Sequence, residues 1–240
     1  MIRFTIFGVP VEIQPWFWVT TAILGGALHA DTQTEILGVL VFMIVAMISI
    51  LVHELGHALT GRKLGGGETW ISLYAMGGLA YNRGGVFTRT QRALMILAGP
   101  GAGFALGLLT LAVMCAIWTP AGGMSLASIL LFGRTPIMPT REVILYLHSQ
   151  APSIWLVNDF LWINFWWGVI NLLPVLPLDG GRFMELYLKP LKRACMLGAI
   201  TATTMALFLL YTFSAGEALY PVCLFGWLAW QNYQLTRQVL

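Results

Sequence analysis

The stretch that decides the fold is ILGVLVFMIVAMISILVHELGHALTGRKL, residues 36–64. Apolar side chains dominate it as far as residue 52, and its first ionisable side chains are His53, Glu54 and His57. As an α-helix it would be roughly 43 Å long, whereas the hydrocarbon core of a bilayer is about 30 Å thick. The stretch is therefore predicted to cross a membrane as one helix.

The composition extends this conclusion to the whole chain. Of its 240 residues, 58% are apolar and 10% are charged, against about 45–50% and about 25% in soluble domains. A soluble globule of this length could not bury so many apolar side chains, and the composition also excludes a disordered, collagen-like or disulfide-stabilised chain. The net charge of +3 is small and scattered, so no nucleic-acid partner is expected. We predict an integral membrane protein with the lipid bilayer as its surroundings.

Six apolar segments predict an all-α polytopic membrane protein with about six transmembrane helices. The segments are residues 16–29, 36–64, 93–118, 154–173, 195–213 and 219–233. With six crossings, all of the 13 basic residues except Arg134 and Arg141 fall on the side of the N-terminus. The positive-inside rule then places both termini in the cytoplasm, and the absence of a targeting signal favours a prokaryotic cell (inner) membrane. The connection 119–153 is expected to be an irregular external loop with one surface helix near residues 143–147.

Two stretches favour β-hairpins rather than helices. Residues 3–13 alternate in strand fashion around Gly8-Val9-Pro10, and residues 65–85 alternate aromatic and branched side chains before Gly77-Gly78. Because a Gly-Gly pair breaks a helix, residues 65–85 are predicted to form a small membrane-associated β-hairpin at the inner leaflet. Non-helical backbone at membrane depth must be buried by protein or reached by water, so this hairpin indicates a nearby cavity.

The two histidines of the opening stretch carry its chemistry. His53 and His57 are four residues apart, which places them about 40° apart on one helix face. Two imidazoles in that arrangement can bind one metal ion, and Glu54 beside them can take a proton from a metal-bound water. The His-Glu-x-x-His pattern is typical of zinc hydrolases, and ionisable groups within a span are usually functional. The alternative is two histidines bonded to neighbouring helices, with Glu54 protonated.

A catalytic zinc ion generally takes a third protein ligand and keeps one position for water. His29 and His148 are poor candidates for that ligand, since both fall on the predicted external side. Asp179 is the better candidate, because it ends an apolar run that Pro174 and Pro177 interrupt. The carbonyls that these prolines leave without helical partners suit an irregular, hydrated backbone at membrane depth.

The predicted topology places both motifs at a similar depth. His57 lies five residues before Arg62, and Asp179 lies three residues before Arg182. Both segments run inward in the six-span topology, so each motif is within roughly 5–8 Å of the cytoplasmic charge belt. The two motifs can therefore meet.

Together, these motifs carry a family resemblance. His53-Glu54-Leu55-Gly56-His57 within a span is followed about 120 residues later by Asn171, Pro174 and Leu178-Asp179-Gly180. This arrangement resembles the site-2 protease family of intramembrane zinc metalloproteases. The resemblance implies one zinc ion held by His53, His57 and Asp179, with Glu54 as general base and Asn171 stabilising the oxyanion. The segment NLLPVLPLDG has one residue more than the family's Asn-x-x-Pro-x-x-Leu-Asp-Gly pattern.

Further features are similar to that family. Gly99-Pro100-Gly101-Ala102-Gly103 occupies the place of its Gly-x-x-x-(Asn/Ser/Gly) motif, where small residues also let helices pack closely. The hairpin 65–85 is similar to a re-entrant β-loop whose edge would bind an extended substrate. The residues expected to contact substrate are Tyr74, Met76, Gly77 and Gly78.

The chain is predicted to be one membrane-embedded metalloprotease domain over residues 1–240. Its core helices are expected at roughly residues 36–64, 93–118 and 154–185. Unlike many relatives, the chain shows neither a PDZ domain nor a nucleotide-sensing domain.

The predicted function is hydrolysis of a peptide bond within or next to the transmembrane segment of a single-span membrane-protein substrate, near the cytoplasmic side. Three alternatives stay open. Another class of membrane zinc endopeptidase would take its third ligand from Glu185 or Glu217. A metal transporter would use the buried His and Glu residues as an ion path, although no internal repeat is found. A pseudo-enzyme would bind membrane clients without cutting them. A homo-oligomer is compatible with the sequence.

Overall fold

The computed structural model describes residues 1–149, 152–212 and 215–238. The N-terminal half contains β1 (Ile2–Ile6), β2 (Val9–Ile13), α1 (Pro15–Leu24), α2 (Gln33–Gly65), β3 (Glu68–Tyr74), β4 (Gly77–Arg83) and α3 (Arg89–Ile117). The rest contains α4 (Thr119–Phe132), α5 (Arg141–His148), α6 (Pro152–Trp162), a π-helical turn (Ile163–Trp167), α7 (Gly168–Asn171), α8 (Asp179–Tyr187), α9 (Leu191–Thr212) and α10 (Ala215–Gln238). The molecule is therefore mostly helical, with a small β-sheet near its N-terminus.

Three helices of the described residues are long and apolar enough to cross a membrane, namely α2, α3 and α9. A fourth helical segment, residues 152–171, consists of α6, the π-helical turn and α7 without a break. The first predicted span is shorter than expected, because α1 has 10 residues and ends at Gly25. Ten residues extend about 15 Å, roughly half the thickness of the hydrocarbon core. The structure thus supports a membrane protein, and the count of six crossings stays a prediction.

Both predicted hairpins form, but they join into one sheet, which the sequence did not predict. The strand order is β1-β2-β3-β4. Strands β2 and β3 pair in parallel, with Val11 opposite Ile71, while β3 and β4 form the antiparallel hairpin with Leu73 opposite Gly78. The isolated hairpin of the sequence prediction is therefore corrected to a four-stranded sheet. Strand β4 lies at the edge of that sheet.

One face of the sheet packs on α2, close to the two histidines. The buried cluster joins side chains of β2, β3, α1 and α2: Val9, Val11, Ile13, Phe17, Ile50, Leu51, Leu55, Ala58, Ile71 and Leu73. The alternation of buried and half-buried residues along β3 fits a strand with one apolar face. Because Leu51 and Leu55 flank His53, this packing holds the β3–β4 hairpin beside the metal-binding motif.

Residues 119–132 form helix α4, whereas the sequence analysis expected an irregular loop there. Pro120 lies in the first turn of α4, where a missing N–H has no intrahelical partner to lose. Gly123 lets α4 approach α3 closely, because a side-chain carbon there would clash with Cys115. The Pro and Gly residues are thus a helix start and a packing contact rather than loop signals. The expected surface helix near residues 143–147 is present as α5.

Candidate active site

The structure brings three potential metal ligands together from two distant parts of the chain. Nε2 of His53 lies 3.1 Å from Oδ2 of Asp179, and Nε2 of His57 lies 3.2 Å from the same oxygen. The two Nε2 atoms are 3.1 Å apart. Ligand atoms placed tetrahedrally at about 2.0–2.1 Å from a zinc ion are about 3.3 Å apart, so the triangle fits zinc. Among the described residues, this is the group of His, Cys, Asp and Glu side chains that could hold a metal.

The helix places both histidines, and a neighbouring carbonyl orients one of them. Nδ1 of His57 lies 2.8 Å from the Met95 carbonyl oxygen. Because a carbonyl only accepts hydrogen bonds, Nδ1 carries the proton and Nε2 presents its lone pair toward His53 and Asp179. Such an outer hydrogen bond fixes both the tautomer and the ring orientation of a metal-binding histidine.

Close packing between α2 and α3 leaves no room for larger residues at two glycines. A side-chain carbon at Gly99 would overlap the His57 ring, and one at Gly56 would overlap the Ala98 carbonyl. From the sequence alone, Gly99 is expected to serve helix packing or to belong to a family motif. The structure gives it a direct role beside a candidate ligand.

Asp179 is the first residue of α8 and follows a loop at residues 172–178. Pro174 and Pro177 prevent that loop from continuing the helix. Gly180 and Gly181 pack directly against the backbone of residues 172–176. A side-chain carbon at either position would overlap that backbone. The Asp179 side chain is 10% exposed, and its carboxylate faces both imidazoles. The predicted convergence of Asp179 with the two histidines is thus present.

The side chain of Glu54, a residue of α2, packs against the edge strand β4. It is 6% exposed, and a side-chain carbon at Gly78 would overlap its Cγ atom. The backbone amide of Ala80 faces its carboxylate. Because Gly78 has no side chain, β4 packs directly against Glu54 and holds its carboxylate beside the histidines.

A cavity of about 430 Å³ opens onto these groups, a size within the usual range of ligand pockets. It is lined by His53, Glu54, His57, Asn171 and Asp179, and by Tyr74, Met76 and Gly78 of the hairpin. The fourth hairpin residue expected to contact substrate, Gly77, is not among the lining residues. It is the first residue of β4, directly after the turn at residues 75–76, and has a φ of 120°. Burial raises the pKa of the Tyr74 phenol above its usual value, and the nearby Glu54 carboxylate acts in the same direction.

Asn171 faces the cavity from the end of α7 and is 9% exposed. Its side-chain amide makes no hydrogen bond to any residue whose side chain the structure describes. The sequence alone left open that this amide would bond a carbonyl freed by the prolines. In the structure another residue, Asn232, makes that type of contact.

The other candidates lie away from this cluster. His148 is held by the Ile144 carbonyl, 2.7 Å from its Nδ1, and His29 lies in a short 3₁₀ turn after α1. Glu185 of α8 does not line the cavity. The side chain of Glu217 lies outside the described residues.

Comparisons with known proteins agree with this geometry. The model of peptidase family M50 matches residues 41–213, a stretch that contains both halves of the site. The chain belongs to peptidase family M50. It is thus a zinc metalloprotease of the site-2 protease type, which disfavours the metal-transporter alternative.

Similar proteins carry the corresponding names. The chain is 28% identical over 216 residues to the putative zinc metalloprotease Rip2 of Mycolicibacterium smegmatis, covering 75% of this chain and 73% of that protein. It is 24% identical over 212 residues to zinc metalloprotease MJ0392 of Methanocaldococcus jannaschii, covering 85% of this chain but 52% of that relative. The solved site-2 protease from Methanocaldococcus jannaschii has the same fold, with a TM-score of 0.54, 20% identity, and coverage of 97% of this chain and 94% of that chain.

The contribution of the last helix, α10, to the site was not predicted from the sequence. Tyr220, Leu224, Trp227 and Leu228 of α10 also line the cavity, and the fully buried Asn232 of α10 contacts the loop before Asp179. A buried amide in an apolar helix is the signal that could have indicated Asn232, because polar groups within spans are costly unless they are bonded. Nothing in the local sequence identifies the side chains of α10 that face the cavity.

Proposed function

We propose that this protein hydrolyses a peptide bond within or next to the transmembrane segment of a single-span membrane protein, using one zinc ion. The observation that carries the proposal is the triangle of His53, His57 and Asp179, whose ligand atoms lie 3.1–3.2 Å apart beside a cavity. Helix α2, which supplies two of the three, is itself apolar and long enough to span a bilayer. A metal site on such a helix places the chemistry near or below the lipid surface.

The metal ion and the side chains around its three candidate ligands each have a separate role in hydrolysis. Zinc, when bound, would polarise the scissile carbonyl and lower the pKa of a water molecule toward about 7. The Glu54 carboxylate lies next to the ligands and lines the same cavity, so it accepts the proton of the attacking water. Glu54 then returns the proton to the leaving amine, which completes the exchange.

Asn171 supports the developing negative charge. Its amide faces the same cavity as Glu54 and Asp179. An amide N–H that is not engaged elsewhere can bond the oxygen of the tetrahedral intermediate without first breaking a bond. We therefore assign Asn171 the role of oxyanion donor.

The substrate binds along β4 as an added strand. Strand β4 is the edge of the sheet, and its residues Gly78, Leu79, Ala80, Tyr81 and Asn82 line the cavity. A helical peptide bond is shielded by its own hydrogen bonds, so the substrate must be extended before it is cut. An edge strand offers unpaired backbone groups that bind an extended segment. Tyr74, Met76 and Gly78 contact that segment, and Gly77 begins the edge strand with a positive φ that favours glycine.

The cut occurs near the cytoplasmic side of a cell membrane. The basic residues Arg62 and Lys63 follow His57 at the end of α2, about 8 Å beyond it along the helix. Positive charge marks the cytoplasmic ends of spans, which supports a cytoplasmic location for this end of α2. With the predicted six crossings, both termini would lie in the cytoplasm as well.

The substitution Glu54→Gln tests this function. In proteoliposomes with a single-span model substrate, we expect the variant to keep the zinc content of the wild type and to lose at least about 10²-fold in cleavage rate. Glu185→Gln is the matched control, since Glu185 does not line the cavity. Cleavage by Glu54→Gln at the rate of this control would refute the role of Glu54. Mass spectrometry of the products locates the cut, and a cut far from the transmembrane segment would refute the intramembrane assignment.

A further inference from the structure

Asn232 of α10 is bonded to the loop that carries the third candidate ligand. Its side-chain amide donates to the Leu176 carbonyl at 2.6 Å, and its Oδ1 accepts from the Leu176 N–H at 3.2 Å. The same amide donates to the Leu228 carbonyl of its own helix at 2.8 Å. Asn232 is fully buried, so no water competes for these bonds. One side chain thus satisfies both backbone groups of Leu176.

Leu176 lies where the loop has few partners of its own. Pro174 and Pro177 have no N–H, and they interrupt the helical bonding that would otherwise satisfy this segment. Within the loop, Val175 donates to Leu173 at 2.7 Å and Leu178 donates to Val175 at 2.8 Å. Neither bond involves Leu176, which depends on α10 instead. Asp179 follows three residues later, so a shift at Leu176 is carried to its carboxylate.

Helix α9 completes the contact from the other side. A side-chain carbon at Gly198 would overlap Oδ1 of Asn232 and would lie 3.3 Å from the Pro174 carbonyl. Around this point Val175, Ala202, Phe225 and Leu228 form one buried apolar cluster. Helices α9 and α10 therefore pack around the loop, and Asn232 of α10 supplies the hydrogen bonds that hold it.

We infer that Asn232 is a positioning residue that holds the 172–178 loop so that the Asp179 carboxylate meets the two histidines. The inference rests on the proposed function, since it assumes that these three residues bind zinc. Helices α9 and α10 thereby act on the metal site without supplying a ligand. Residues that orient metal ligands in this way typically change metal affinity by about 10–100-fold when they are replaced.

Two substitutions test the inference from opposite sides of the contact. Asn232→Leu keeps the branching and the number of side-chain heavy atoms and removes all three side-chain hydrogen bonds. Gly198→Ala keeps the asparagine but forces its Oδ1 to move. Each variant has a matched control on α10. Thr236→Val removes the hydrogen bond that the buried Thr236 hydroxyl donates to the backbone carbonyl of Asn232, and it leaves the Asn232 side chain and its three bonds unchanged. Gly226→Ala adds a methyl group where nothing lies within 4 Å.

The measurements use the full chain purified in detergent. Zinc affinity is obtained by competition with a chelating dye, and the absorption bands of bound Co²⁺ report the ligand geometry. We expect both test variants to bind zinc about 10–100-fold more weakly than the wild type and to shift the Co²⁺ bands, with both controls unchanged. A purely structural role would reduce the amount of folded protein but would leave the spectrum of each bound ion unchanged.

The outcomes separate this inference from the proposed function. If the wild type binds no zinc, the proposed function fails and the inference fails with it. If the wild type binds zinc and both variants match it in affinity and spectrum, the inference alone is wrong. If Asn232→Leu does not fold, Gly198→Ala decides the question by the same two measurements.

Discussion

A glycine-to-alanine substitution on α3 offers the sharpest test of the site's geometry. A methyl group at Gly99 would overlap Nε2 of His57, far inside the 3.4–4 Å of ordinary van der Waals contact. The imidazole would have to withdraw by more than about 1 Å, and it cannot do so while Nδ1 keeps its 2.8 Å bond to Met95. A displacement of about 1 Å at a reacting centre costs on the order of 10²-fold in rate. We therefore expect Gly99→Ala to reduce cleavage by about 100-fold and to weaken zinc binding.

Gly101→Ala is the control for this substitution. It lies two residues further along the same helix, and a methyl group there meets nothing within 4 Å. Both variants carry the same change in helix propensity, so their difference isolates the contact with His57. Cleavage of a single-span substrate in proteoliposomes and zinc content by mass spectrometry are the measurements. Rates for the two variants within about threefold of each other would refute the argument that Gly99 is needed by His57.

Two further substitutions separate zinc binding from catalysis. Gly78→Ala introduces a carbon that would overlap Cγ of Glu54, so we expect a lower cleavage rate at unchanged zinc stoichiometry; loss of zinc instead would contradict the placement of Glu54 outside the ligand set. Asn171→Ala removes the amide assigned to the oxyanion, and we expect kcat to fall by about 10²–10³-fold, with zinc affinity unaltered. Substrate titration checks that result, and a change confined to KM would assign Asn171 to substrate binding.

Much of the helical and hairpin structure was predictable because it depends on local pattern. The apolar run before His53 requires a helix in a membrane, and the observed α2 extends the predicted stretch by three residues at its start and one at its end. The alternation along residues 70–76 and the glycines at residues 77 and 78 predicted a hairpin within residues 65–85 that β3 and β4 form. Each of these signals involves residues within a few positions of one another, where backbone geometry alone sets the outcome.

The errors arose where packing between elements or a helix end, rather than the apolar pattern, set the structure. Pro120 and Gly123 suggested a loop, but packing against α3 makes them part of α4. The parallel pairing of β2 with β3 joins strands separated by more than fifty residues, and no local pattern specifies which strand edges will meet. The ten-residue length of α1 likewise follows from the termination at Gly25, which the hydropathy of the segment did not indicate.

By itself, the sequence determined that the chain is an apolar membrane protein and that His53 and His57 share one helix face, since helical periodicity requires it. It also predicted Asp179 as the third ligand, because a carboxylate binds zinc and because Asp179 lies at a similar predicted membrane depth to the histidines. Only the tertiary structure decided that Asp179 meets the two histidines, which lie 122 and 126 residues away along the chain. It also decided that Gly99 leaves space for His57 and that Asn232 bonds the loop at residues 172–178. A proline-interrupted loop has no repeating geometry of its own, so its position depends on the helices that pack around it.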